Sequence, residues 1–284
     1  MKTFDIGGAA AGGPRLLIVA GPCVVESAEL CLTVASALQK LCADRGLPFV
    51  FKASYTKANR SSAHSFTGLP GDEGLEVLAR VKRELGVPVL TDVHEVAEVR
   101  AAADVADILQ IPAFLCRQTA LLQAAASSGA VVNVKKGQFL APGDMQNAID
   151  KIASAGGERI LLTERGTTFG YGDLVVDMRG LVTMRELGWP VLFDATHSLQ
   201  RRGTHPADGS GTETGGDRRF AFPLMRAAVA CGVDGLFFEA HPDPDRALSD
   251  AATQLPLARA AAFLDEAVRV HEAIQEAPSG VRRP

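Results

Sequence analysis

Residues 16–23 read Leu-Leu-Ile-Val-Ala-Gly-Pro-Cys: five apolar residues in a row, a Gly-Pro break, then a thiol. An unbroken apolar run of that length suits a parallel strand covered on both faces, since a strand with one wet face would alternate. The pattern recurs along the chain. Runs of this kind predict strands over 16–21, 48–54, 88–93, 108–113, 131–137, 160–166, 191–197 and 235–241. Between them lie segments with apolar residues at helical spacing, such as 75–85 (LEVLARVKREL), 120–127 and 222–231, and a long one over 26–43. A βα unit repeated about eight times predicts a (β/α)8 TIM barrel rather than an open doubly wound sheet. No GxGxxG turn follows the first strand, which weakens a dinucleotide-binding reading.

The predicted strands all change character at the same end. The first runs out at Cys23, the second at Lys52 and Ser54, and the third at Asp92 and His94. The fourth carries Gln110 and the fifth ends in Lys135 and Lys136. Glu164 and Arg165 end the sixth, Asp194 and His197 the seventh, and Glu239 and His241 the eighth. Such groups cost free energy to bury unless they find partners. In a parallel barrel the C-terminal strand ends converge on one mouth, where active sites are built.

The 284 residues are 47% hydrophobic and 22% charged, enough for one large core in a single domain over 15–277. Residues 1–14, rich in Gly and Ala, read as a flexible lead-in, and 278–284 as a tail. Residues 200–219 are polar and Gly-rich and read as a mobile loop, either a lid or a surface insertion. The formal net charge of -4 gives no footprint for nucleic acid or an anionic membrane. No apolar run reaches the roughly 18 residues of a membrane span. The opening MKTFDIGGAA lacks the pattern of a secretory signal. Five cysteines, an odd number without CxxC spacing, read as reduced thiols, so a cytoplasmic protein is expected.

In an acidic chain, Lys52, Lys57, Arg60, Lys135 and Arg165 would gather cations in one pocket, which suits a substrate carrying more than one anionic group. The competing reading pairs some of them with Asp92, Glu164 or Glu239. Asn59-Arg60-Ser61-Ser62 could grip a sugar phosphate or cap a helix. Cys23, His197 and Glu239 end strands one, seven and eight, which become neighbours when a barrel closes. With Asp250 just beyond, they offer a thiolate, an imidazole and two carboxylates, a divalent-metal set. A thiol beside an apolar strand can equally be core filler. The residues by themselves leave both open.

The segments AGPCVVES (20–27), FKASYTKANRSSAHSF (51–66), TDVHE (91–95), DILQIPAFLCRQT (107–119), VNVKKGQFLAP (132–142), LLTERGTTFGYGDLVVDMR (161–179), FDATHS (193–198) and FPLMRAAVACGVDGLFFEAHPDPDRALSDAATQLPL (222–257) together resemble the 3-deoxy-D-manno-octulosonate 8-phosphate synthases. The resemblance implies a (β/α)8 barrel, usually a homotetramer. It also implies condensation of phosphoenolpyruvate with D-arabinose 5-phosphate, releasing phosphate and feeding synthesis of the Kdo sugar of lipopolysaccharide. Lys52, Lys57, Lys135, Arg165 and His197 would meet phosphoenolpyruvate. Ser54, Asn59, Arg60, Ser61, Asp92 and Gln110 would meet the sugar phosphate, joined by Arg117 from a neighbouring subunit. A cysteine at position 23, rather than asparagine, matches the metal-dependent branch. Cys23, His197, Glu239 and Asp250 would then hold a divalent ion such as Fe, Zn, Mn or Co, with no organic cofactor. His197, Lys135, Asp250 and Cys23 would be the catalytic groups. The alternatives are a sister synthase acting on erythrose 4-phosphate, 3-deoxy-D-arabino-heptulosonate 7-phosphate synthase, and an inactive barrel serving as a binding protein. KANRSS (57–62) favours the five-carbon sugar.

Overall fold

A computed structural model describes residues 1–58, 65–70, 72–168, 172–201 and 215–276. Eight parallel strands close on themselves, each followed by a helix. The strands are β1 (Leu17–Gly21), β2 (Phe49–Lys52), β3 (Val89–Asp92), β4 (Ile108–Ile111), β5 (Val131–Lys135), β6 (Ile160–Glu164), β7 (Val191–Asp194) and β8 (Gly235–His241). Each pairs with the next. Leu192 of β7 meets Gly235 of β8, and Leu17 of β1 meets Gly235 in turn, so the ring has no edge. The helices are α1 (Ala28–Ala43), α2 (Glu73–Leu85), α3 (Val99–Ala103), α4 (Thr119–Ser127), α5 (Met145–Ser154), α6 (Met178–Glu186), α7 (Ala221–Ala230) and α8 (Ala260–Glu276). The (β/α)8 barrel expected from the repeat is the fold.

Alternate residues of a strand face opposite ways, and two separate apolar clusters show where each set goes. Outward residues such as Ile18, Phe51, Leu109, Val132, Leu162, Phe193 and Phe238 pack against the helices. Inward residues Leu17, Val19, Val50, Leu90, Ile108, Val131, Leu161, Leu192 and Phe237 fill the N-terminal half of the barrel. The next inward positions along the same strands are Lys52, Asp92, Gln110, Asn133, Thr163, Asp194 and Glu239, all buried. The strands are thus mainly apolar on their helix side, and most turn from apolar to polar on their inner side. Strands must approach closely to close the ring: a side chain at Gly235 would bring Cβ to 2.3 Å from the Leu17 carbonyl oxygen.

The first residues differ from the flexible lead-in that their composition predicts. Phe4–Ile6 and Ala9–Ala11 form an antiparallel hairpin whose Ile6, Ala9 and Ala11 are buried on the inner apolar cluster. Gly7 and Gly8, both at positive φ, make the turn. Without this hairpin the barrel floor would face water. The loop over 200–219 also has order at its feet: Gln200–Arg201 pairs antiparallel with Gly215–Gly216, and residues 202–214 between them lie outside the described residues. The expected tail over 278–284 lies outside them too.

β7 is shorter than the 191–197 run suggests. Asp194 Oδ1 accepts from the backbone N–H of Thr196 and His197, turning the chain at the strand end. A short strand, Leu255–Pro256, pairs in parallel with the tip of β8 and carries residues 250–254 over the barrel mouth. Among the described residues no helix is long and apolar enough to cross a membrane. All five cysteines are free, and burial pushes the Cys31 and Cys42 thiols up to about 12, which leaves them inert packing within α1.

If the hairpin is the floor of the barrel, Ile6→Ala should cost about 2–5 kcal/mol, the range for truncating a buried aliphatic side chain. Denaturant unfolding measures it, and a loss below about 0.5 kcal/mol would mean the hairpin does not hold its place.

Candidate active site

At the barrel mouth the end of β1 meets the turn that follows β8. Gly21 is required there, because a Cβ on it would lie 2.0 Å from the Lys52 carbonyl oxygen. Two residues later Cys23 is wholly buried. Its N–H donates to Gln254 Oε1 (3.3 Å), its Sγ lies 2.8 Å from Ser249 Oγ and 3.2 Å from Asp250 Oδ2. Gln254 Nε2 returns a hydrogen bond to the Ser249 carbonyl at 2.8 Å, tying the turn to β1. Asp250 is the one non-glycine residue at positive φ among the described residues (φ 48°). Such a backbone costs energy, and this network holds it.

Ligand atoms of Cys23, Glu239 and Asp250 lie within 4.8 Å of one another. His197 stands beside them, its Nε2 3.7 Å from both Glu239 Oε1 and Asp250 Oδ2. Its Nδ1 lies 2.8 Å from Asp194 Oδ2. A carboxylate can only accept, so Nδ1 carries a proton, and the neutral ring would present its Nε2 lone pair to the trio. Glu239 Oε2 is buried with no hydrogen-bond partner among the described residues. An orphaned carboxylate oxygen beside a thiol, a second carboxylate and an oriented imidazole fits the donor set of a divalent transition metal.

Four cations face this group. Lys52 Nζ donates to Glu239 Oε1 (2.5 Å) and to the Cys23 carbonyl (2.8 Å). Lys135 donates to Asp194 and lies 3.4 Å from the Phe237 ring centroid. Arg165 Nη2 donates to the His197 carbonyl at 2.9 Å and to Gln200 Oε1 at 2.5 Å. Lys57 is half-buried. Beside them Ser54 Oγ and Gln110 Nε2 both donate to Asp92.

The electrostatics follow from this crowding. Burial pushes the Cys23 thiol well above its usual value, with Glu239 adding to the effect. Burial alone would raise Asp92, Asp194, Glu239 and Asp250; neighbouring cations reverse it in each. Burial would lower Lys57 and His197, but the carboxylates around them raise both. Lys135 differs: there burial wins over Asp194 and the ammonium is lowered.

Of the cations expected at the mouth, Lys52, Lys57, Lys135 and Arg165 lie around this group, Lys52 and Lys135 already paired to carboxylates. Lys136 and Glu164 take no part in the pocket. They face outward, 3.6 Å apart, and Glu164 also accepts from the N–H groups of Arg165 and Gly166. Their inward neighbours Lys135 and Arg165 line the barrel. Arg117 is exposed on the turn after β4, where its carbonyl accepts from Lys151, and no contact links it to the group above among the described residues. Asn59, Arg60 and Ser61 lie outside the described residues. Asp194, Ser249 and Gln254 carry roles that sequence reading did not assign. Only Asp194 left a signal, as a charge ending an apolar strand.

The DAHP synthetase I family model matches residues 4–276. The chain belongs to this family. Among its curated relatives, the 2-dehydro-3-deoxyphosphooctonate aldolase of Trichlorobacter lovleyi is 54% identical over 264 residues, covering 93% of this chain and 95% of that protein. Proteins of the same name from Syntrophotalea carbinolica and Azoarcus sp. are 55% and 53% identical over 91% and 92% of this chain, and 92% of each relative. Both family and relatives agree with the resemblance seen in the segments quoted above.

Asp92 is held ionised in the fold while an unfolded aspartate titrates near 3.9. Its contribution to stability is therefore present above about pH 4 and lost as pH falls toward its lower folded value. Over that window stability should fall by up to about 1.4 kcal/mol per pH unit from this group. Asp92→Asn should flatten the acid limb of stability against pH by about one proton; an unchanged slope would mean that the fold does not favour the ionised Asp92.

Proposed function

We propose that this chain condenses phosphoenolpyruvate with D-arabinose 5-phosphate and water, giving 3-deoxy-D-manno-octulosonate 8-phosphate and inorganic phosphate for the Kdo sugar of lipopolysaccharide. The observation that carries the reading is the convergence of Lys52, Lys57, Lys135 and Arg165 with Cys23, His197, Glu239 and Asp250 at one mouth. The relatives' shared name supports it.

In this reading Lys135, Arg165, Lys52 and Lys57 hold the phosphate and carboxylate of phosphoenolpyruvate, with His197 beside them. Ser54, Asp92 and Gln110 face the sugar, together with Asn59, Arg60 and Ser61. The methylene carbon of phosphoenolpyruvate attacks the sugar's aldehyde carbon. Water then adds to the carbon left electron-poor, and phosphate leaves with its bridging oxygen. Lys135, with its ammonium lowered by burial, can release a proton from Nζ more readily than an exposed lysine. Charge favours a bound metal. Among the described residues the four cations are balanced by Asp92, Asp194, Glu239 and Asp250, which leaves little net attraction for a multiply charged anion. Cys23, His197, Glu239 and Asp250 would hold a divalent ion, which supplies positive charge and Lewis-acid polarisation of the aldehyde. The enzyme acts in the cytoplasm as a homotetramer, with the exposed Arg117 reaching the sugar phosphate of a neighbouring subunit.

A family model named for the erythrose 4-phosphate enzyme makes that sugar the second reading. Assay of phosphate release with each aldose separates them, and a clear preference for erythrose 4-phosphate would overturn the assignment. Exhaustive chelation should abolish turnover and a divalent metal should restore it. Undiminished activity in protein shown metal-free by elemental analysis would remove the ion from the reading.

Lys135→Ala and Arg165→Ala should each cost about 2–5 kcal/mol in kcat/KM for phosphoenolpyruvate, the range for removing one member of a buried charge pair. A change of a few tenths would place them outside the pocket.

A further inference from the structure

A directional chain of buried hydrogen bonds crosses four strands of the inner barrel wall. Thr163 Oγ1 donates to Asn133 Oδ1 at 2.7 Å, Asn133 Nδ2 donates to Gln110 Oε1 at 2.8 Å, and Gln110 Nε2 donates to Asp92. Asp92, Gln110 and Asn133 sit on one rung, paired Asp92 with Gln110 and Gln110 with Asn133. All four side chains are at least nine-tenths buried, with Asn133 and Thr163 wholly so.

The direction of this chain is forced from one end. Asp92 is ionised and can only accept, so Gln110 must turn its NH2 toward it. That leaves the Gln110 carbonyl facing Asn133, which must answer with its own NH2. The Asn133 carbonyl then requires a donor, and the Thr163 hydroxyl is the group that supplies one. Any member reversed would set two acceptors or two donors against each other in a buried site, where an unmet polar group is costly. Asn133 and Thr163 are wholly buried, and each removes an alternative orientation from its neighbour in the chain.

We propose that Asn133 and Thr163 are positioning residues that lock the Gln110 amide in a single orientation and so set the affinity for the sugar phosphate. The inference rests on the reading of Ser54, Asp92 and Gln110 as the sugar side of the pocket. Phosphoenolpyruvate, gripped by Lys135 and Arg165, is held by groups outside this chain. Loss of the lock therefore acts on one substrate and spares the other.

The test is steady-state kinetics of the metal-loaded enzyme with both substrates varied, on the wild type, Asn133→Leu, Thr163→Val and Thr163→Ser. Asn133→Leu keeps the volume and removes both bonds. It should raise KM for arabinose 5-phosphate at least tenfold, with KM for phosphoenolpyruvate within twofold of wild type. Thr163→Val should raise the same constant two- to fivefold, and Thr163→Ser, which keeps the hydroxyl, should restore it. If Asn133→Leu does not fold, the Thr163 pair decides alone. An unchanged sugar KM in folded variants, or an equal rise in both constants, would overturn the proposal. Wild-type protein that does not turn over arabinose 5-phosphate would overturn the function reading, and this inference with it.

Discussion

The ion pair between Lys52 and Glu239 is the interaction around which the mouth is arranged. It joins β2 to β8 across β1, with both side chains out of water and the lysine also donating to the carbonyl of Cys23. Such a pair is poor value as a source of stability, since desolvating two charges costs about as much as their attraction returns. Well-packed apolar residues would serve a barrel core as well or better. What the pair does achieve is placement. It fixes the Cys23 carbonyl and one Glu239 oxygen together and leaves the other Glu239 oxygen buried and unpartnered among the described residues, on a carboxylate grouped with the thiol and Asp250.

A buried polar mouth of this size survives because the halves of each strand are divided between two tasks. Below it, the inner cluster from Leu17 to Phe237 and the hairpin floor exclude water from the barrel axis. Around it, the outward residues secure the helices irrespective of what the inner wall carries. The hydrophobic term is thus supplied by surfaces that do not touch the site. The inner wall of the upper half is left free to be polar, provided each group is paired. The chain from Thr163 to Asp92 and the cluster of Lys135, Asp194 and His197 meet that condition.

The barrel is legible because each strand carries its own sign, an apolar run that ends in a thiol, an amide or a charge. Parity was harder to read. Lys135 and Lys136, or Glu164 and Arg165, are adjacent in sequence, but only the register of β5 against β6 shows which member points inward. The outward Lys136 and Glu164 satisfy each other behind the wall. The hairpin was missed because three-residue strands of Phe4–Ile6 and Ala9–Ala11 are too short to show a period, and their burial depends on a floor formed by eight distant segments. Gln254 and Ser249 were missed for a related reason: they meet Cys23 only after the chain has closed the ring.

The pairing of the cations bears on how such a pocket could work. Lys135 and Lys52 are not waiting free for an anion; each is held by Asp194 or Glu239. A cation fixed in this way cannot collapse onto another partner or drift into solvent, so its position is set before substrate arrives. The cost is that part of its field is already spent on the carboxylate. In the proposed reaction that trade is favourable when charge develops during the step itself, because preset dipoles and charges need no reorganisation at that moment. It is unfavourable for ground-state capture, which must then draw on groups less committed. Among the described residues Arg165 donates to a carbonyl and to an amide oxygen. In the proposed reaction the same reasoning assigns Lys135 chiefly to the chemical step.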